Sequence, residues 1–395
     1  MTPLTRLALG ALLTAAVGAH AAQPAPAAAG QDDGHLPGAD SSALFWQGRE
    51  QIAGFRNIDR LAPVRWIAAG DRALELPAAG DAIGTVSFEF AGDTLTLDDY
   101  LDRQRVAGLL VLKDGSVAYE RYRLGNDAQT RWISFSVAKS VVAMLIGAAI
   151  ADGYIDSVDE RVTAYLPRLA GSAYDQATIR DLLQMASGVA WNEDYADPES
   201  DVARATYDTL SLYDYLRDKP RNAPPGERFN YNTAETNLAG TLLRAAIGNN
   251  LSTYLSEKIW QPFGMESDAY WQLTEPGGGE FGGCCISATL RDYARLGLFA
   301  LGDGRLADGS RVLPEGWMAE STRPSPGYDG YGYFWWLHGN GAYEAMGIFG
   351  QSIYVDPANG VVIAQHSARA EADREADWAM QAAAYAALVE AVSGG

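Results

Sequence analysis

An α/β fold, in which an antiparallel sheet flanked by helices carries an inserted all-helical domain, is the architecture this sequence predicts. Three observations carry the prediction. Runs with strand character cluster over 106–123 and again over 331–366. The stretch 157–271 between them reads as helices separated by turns. A long amphipathic segment over 373–392 closes the chain. Strand-rich ends around a helical middle imply one sheet assembled from both ends of the chain.

The N-terminus has the marks of a secretory signal. Arg6 precedes an apolar run over 7–17, and Ala19-His20-Ala21 has small residues where a signal peptidase needs them. The run is too short to cross a bilayer. The expectation is a signal peptide over 1–21, cleavage after Ala21, no membrane anchor, and export to the periplasm or the medium. Residues 22–40 are rich in Ala, Pro and Gly and read as a flexible leader. The α/β domain is then expected over 41–156 and 276–395, and the all-helical domain over 157–275.

A short helix is expected over 97–104, with Thr96 as its cap and Asp98 and Asp99 in its first turn. Two strands, 106–113 and 116–123, meet at Asp114-Gly115, a strong hairpin signal. A helix follows from Ser136 and stops near Asp152-Gly153. In the helical middle, turns fall at Gly188, Pro224-Pro225-Gly226 and Gly264. A further helix is expected over 289–301, then strands over 331–337, 342–346, 351–355 and 360–366.

Bulk properties exclude several classes. A net charge of −20 repels the phosphates of nucleic acid. Nearly half the residues are apolar, enough for a large core. Cys284 and Cys285 are adjacent, and neighbours rarely meet ordinary disulfide geometry, so no conventional disulfide is expected. Two cysteines and four histidines without C-x-x-C or H-E-x-x-H spacing argue against a zinc site.

The chemistry centres on Ser136 and Lys139, in Ser136-Val137-Ala138-Lys139. Three residues apart on a helix, they share a face. A serine hydroxyl needs an adjacent base to become a nucleophile. A lysine serves as that base only when neutral, and an apolar setting favours its neutral form. Val137, Ala138, Val141, Val142, Leu145 and Ile146 supply that setting. A solvated lysine with its stem over apolar surface is the other reading of so short a motif. The chain has three further lysines, Lys113, Lys219 and Lys258, and none follows a Ser or Thr at this spacing.

Tyr231 lies just before a helix expected from Ala234. Beside a cationic lysine its anionic form would be favoured, and it would relay a proton between Ser136 and the leaving group. Gly347, in Met346-Gly347-Ile348-Phe349-Gly350, lets backbone approach a ligand closely. The Ile348 N–H, with that of Ser136, would then face a developing oxyanion. A structural tyrosine and an ordinary glycine-bearing strand are the alternatives.

Together these runs resemble the penicillin-recognising serine hydrolases. Within them the chain is most similar to class C β-lactamase-like enzymes, and there to 6-aminohexanoate-dimer hydrolases and family VIII-type esterases. Ser136–Lys139 matches the S-x-x-K of these proteins, and Pro224 to Thr233 their Y-x-N-type segment. The resemblance implies a β-lactamase-like fold with the site between its two domains. It implies hydrolysis of a small linear amide or ester through an acyl-enzyme, with no metal or organic cofactor and a small molecule as the partner. Two positions depart from the pattern: Thr233 replaces the Asn of Y-x-N, and no K-T-G occurs near Gly347. The second departure implies weak β-lactam binding. In the aminohexanoate group a loop tyrosine closes over substrate, and Tyr195 occupies a comparable loop. Glu193, Asp194 and Asp197 beside it would attract a substrate ammonium, or form only a solvated acidic loop. A β-lactamase, a D-aminopeptidase and a non-catalytic binding protein on the same fold remain the competing readings. A Ser-His-Asp hydrolase is disfavoured, because no G-x-S-x-G occurs.

Overall fold

The computed structural model describes residues 32, 34–38, 41–79 and 83–394. The expected signal peptide over 1–21 and most of the leader over 22–40 lie outside the described residues.

The main sheet has six antiparallel strands. In spatial order they are Ser116–Tyr122, Val106–Lys113, Val361–Ser367, Gln351–Asp356, Tyr343–Gly347 and Trp336–Leu337. The two ends of the chain meet at its centre, where Lys113 faces Val361 and Gly108 faces His366. Asp114 and Gly115 both take positive φ, the backbone that a tight primed turn requires. The expected helix forms over Leu97–Arg103, where Thr96 and Asp99 cap each other reciprocally.

Helices cover both faces. On one face, Leu97–Arg103 and Glu375–Ser393 bury Tyr100, Leu101, Met380, Ala384, Tyr385 and Leu388 over Leu109, Val111 and Ile363. The other face packs on Leu290–Leu301 and Val137–Ala151, and this core runs on into the helical part. Every residue from Val137 to Ala149 is buried. A helix buried all round sits inside a protein rather than on it.

Two expectations need correction. Strand 331–337 shrinks to Trp336–Leu337. Phe334 takes φ +57, and its N–H turns to the Leu183 and Gly332 carbonyls, so the aromatic run folds back instead of extending. The helical domain does not reach 275: its last helix is Gln261–Phe263, and Ala269–Gln272 is a strand. That strand belongs to a second, unexpected sheet of four strands, ordered Val64–Ile67, Ala269–Gln272, Ile286–Thr289 and Arg131–Ile133. The adjacent cysteines are also joined to each other, with their Cα atoms 3.6 Å apart.

Candidate active site

The small sheet delivers Ser136. Strand Arg131–Ile133 ends one residue before Ser134, which is fastened to Ile286 twice. The Ser134 N–H donates to the Ile286 carbonyl at 2.8 Å, and the Ile286 N–H donates to Ser134 Oγ at 3.0 Å. Phe135 then turns the chain with φ +44, a conformation a bulky side chain adopts only when its surroundings force it. Ser136 follows at the N-cap of Val137–Ala151. The positive end of that helix favours an anionic serine oxygen.

Lys139 stands one turn into the helix, 1% exposed. Its Nζ donates to the Gly283 carbonyl at 2.8 Å and to Thr233 Oγ1 at 3.1 Å. Burial brings its pKa down from 10.5 to about 8, against the pull of the nearby Glu193 carboxylate. The Thr233 hydroxyl gives its own proton to Glu193 Oε1, so toward Lys139 it only accepts. A neutral lysine amine has two hydrogens and one lone pair. In that neutral form Gly283 and Thr233 account for both hydrogens and leave the lone pair free.

Glu193 is the hub of the surrounding loop. Its carboxylate accepts from Trp191 Nε1, from the Tyr195 hydroxyl at 2.7 Å, and from the Thr233 N–H at 3.0 Å as well as its hydroxyl. The acidic loop spends much of its hydrogen-bonding capacity on itself and on Thr233. Glu193 is saturated, and Asp194 and Asp197 accept from the Ala196 and Glu199 N–H groups to shape the turn.

Tyr231 stacks on Trp336 and meets Tyr331 edge-on, and its ring lies 5.5 Å from Lys139 Nζ. Its phenol is pushed well above the ordinary range, first by burial and then by Glu193, while the Ser136 hydroxyl acts in the opposite direction. The expectation that Lys139 would favour a phenolate is therefore corrected. Tyr231 stays protonated, and Lys139 is the group of the two whose pKa moves toward neutrality.

Gly347 ends strand Tyr343–Gly347 against the nucleophile turn. A Cβ there would lie 2.4 Å from the Ser134 carbonyl oxygen. Ile348 comes next, and the Asp373 N–H holds its carbonyl at 3.0 Å. Among the described residues, neither the Ser136 nor the Ile348 N–H donates to a backbone carbonyl. Two cavities open beside this centre. One, of about 690 Å³, is lined by Ser136, Thr233 and Gly283; the other, of about 530 Å³, by Tyr231, Glu193 and Met346. Tyr195 and Ile348 line both. The structure thus gathers Ser136, Lys139, Tyr231, Tyr195, Gly347 and Ile348 around one point. His366 is elsewhere, buried between Trp132 and Tyr293. Sequence reasoning missed Gly283, whose backbone role leaves no side-chain signal. It noticed Thr233 only as a departure.

Comparison with known proteins agrees. The model of the Beta-lactamase family matches residues 96–387. A 6-aminohexanoate-dimer hydrolase of Paenarthrobacter ureafaciens is 32% identical over 302 residues, 70% of this chain and 76% of the relative. A solved structure from Bacillus anthracis, provisionally named a 6-aminohexanoate-dimer hydrolase, superposes with a TM-score of 0.78 at 24% identity, covering 86% of this chain and 94% of that one. A family VIII carboxylesterase shares the fold with a TM-score of 0.56 at 16% identity, covering 73% and 95%. The chain belongs to the beta-lactamase family and is a serine hydrolase.

Proposed function

We propose that this protein hydrolyses small linear esters or amides through an acyl-enzyme on Ser136, by chemistry of the kind its 6-aminohexanoate-dimer hydrolase relative is named for. The observation that carries the reading is the buried Lys139, its pKa lowered to about 8, one helical turn from Ser136.

In the proposed sequence Ser136 Oγ bonds to the substrate carbonyl carbon and its proton passes to Lys139 Nζ. The N–H groups of Ser136 and Ile348 receive the oxyanion. Tyr231 gives its proton to the departing oxygen or nitrogen and is reprotonated from the lysine ammonium. Water then cleaves the acyl-enzyme by the same groups in reverse. Gly347 keeps the backbone at Ile348 close, and Tyr195 borders both halves of the substrate. The segment 1–21 supports a route of export before the enzyme acts.

Intact-protein mass spectrometry after treatment with a fluorophosphonate tests this. The wild type should gain one phosphonyl group and Ser136→Ala none. Equal labelling of the two, or hydrolysis that survives Ser136→Ala, would sink the assignment. The β-lactamase reading is disfavoured by Gly347-Ile348-Phe349, which puts an apolar side chain where a carboxylate-binding lysine would be needed. Fast turnover of nitrocefin would restore it.

A further inference from the structure

The two cavities at the centre differ in charge. The cavity that Ser136 opens into is lined by Leu44, Trp46, Ile58, Phe135, Cys284 and Ile348, among others. None of the described residues that line it is Asp, Glu, Lys, Arg or His. In a chain of net charge −20 this is a selective absence. The second cavity, on the Tyr231 side, carries Glu344, Asp373, Glu375 and His338.

The proposed reaction orients a substrate across this pair. The acyl carbon is bonded to Ser136, and the leaving group departs toward its proton donor, Tyr231. The acyl chain therefore lies in the uncharged cavity and the leaving group faces the charged one. At about 690 Å³ the acyl side has the size of a small-molecule site.

One wall of the acyl side comes from the start of the described chain. Residues 41–46 line it, and Trp46 anchors them. The Trp46 ring is buried against Phe55, and its Nε1 donates to Ser41 Oγ at 2.8 Å. Gly54 leaves the space: a Cβ there would come within 2.4 Å of the Trp46 ring. The wall is thus part of the fold.

We infer that the Ser136 cavity is an acyl-chain site selective for uncharged aliphatic acyl groups of medium length, and that it discriminates against acyl groups ending in an ammonium. This rests on the acyl-enzyme reading above and narrows its substrate class. An apolar wall rewards each buried methylene and offers no counter-charge to a terminal ammonium, whose desolvation is then unpaid. The catalytic chemistry is that of the amide-cleaving relative, with a different acyl preference.

The test compares p-nitrophenyl heptanoate with p-nitrophenyl 6-aminohexanoate, which differ only by a methyl in place of the terminal ammonium. The wild type should favour the heptanoate in kcat/KM by roughly ten-fold or more, the scale of discrimination one pocket contact gives. Leu44→Asp, at a partly exposed wall position, should shift the ratio toward the amino ester by about ten-fold. Ala62→Phe, which fills the same cavity, should slow the heptanoate while sparing the acetate. Equal rates on the two long esters, or preference for the amino ester, in a Ser136-dependent reaction would overturn the acyl preference alone. Hydrolysis of neither ester, or hydrolysis that survives Ser136→Ala, would overturn the acyl-enzyme reading and the preference with it.

Discussion

The Nζ of Lys139 lies 2.8 Å from the carbonyl oxygen of Gly283. This contact orients a base whose other N–H goes to Thr233. Position 283 has no room for a side chain: a Cβ would sit 2.8 Å from Thr233 Cγ2 and 3.1 Å from the Thr233 carbonyl oxygen. Gly283→Ala should therefore push apart the two acceptors that aim the lysine. We expect kcat to fall by about ten-fold or more with little change in KM, measured by steady-state ester hydrolysis, because orientation of the base matters most in the transition state. Unchanged kcat in a folded variant would show that the Gly283 contact does not aim the base.

Glu193 holds up the pKa of Lys139, which burial has brought down to about 8. Since the base must be neutral, kcat/KM should rise with pH through that region. Removing the Glu193 charge removes an interaction that favours the ammonium, so the lysine loses its proton more easily. In Glu193→Gln the acidic limb of the pH–rate profile should move to lower pH. A limb that stays in place or moves up would separate Glu193 from the titration of Lys139.

Tyr231 is half-buried and protonated beside Ser136. Its proton matters most for a leaving group too basic to depart alone. Tyr231→Phe should lose roughly 100-fold on a linear amide and much less on a p-nitrophenyl ester. Comparable losses on both substrates would indicate a role in acylation geometry instead.

Tyr195 reaches the centre through its 2.7 Å hydrogen bond to Glu193. Tyr195→Phe should reduce amide turnover more than ester turnover. Equal retention of both activities would remove Tyr195 from the reaction.

Glu235, two residues beyond Thr233, gives a stability prediction. Burial raises its carboxyl from 4.5 to about 8, although Ser187 and Tyr174 donate to it. The folded state thus holds this proton more tightly than the unfolded chain does. Its contribution is complete below pH 4.5 and is lost as pH rises through about 8. Glu235→Gln, with no proton to lose, should gain stability relative to the wild type across that window. Denaturant unfolding at pH 5 and pH 8 measures the difference, and a constant offset at both would refute the assignment.

Much of this site was legible because its signals are local. Ser136 and Lys139 lie within one helical turn, and Asp114-Gly115 needs only its neighbours to make a hairpin. The four-stranded sheet was not legible. Its strands Val64–Ile67, Arg131–Ile133, Ala269–Gln272 and Ile286–Thr289 are too short to show a period, and their partners lie far along the chain. The run from Tyr331 has the composition of a strand, yet Phe334 bends it under packing that no local pattern announces. Glu193 stood out as an acidic loop residue. Only the fold directs its carboxylate inward to Thr233 and Tyr195 rather than to solvent.

The pairing of Val106–Lys113 with Val361–Ser367 has a consequence for biosynthesis. A ribosome delivers Ser136 and Lys139 well before it delivers Ile348 and the strand that closes the centre of the sheet. The sheet's middle rung waits for the last tenth of the chain. Contacts so distant in sequence form late and slowly. A nascent chain would therefore carry its serine without an assembled oxyanion site, and hydrolytic competence would arrive only with completion of the polypeptide.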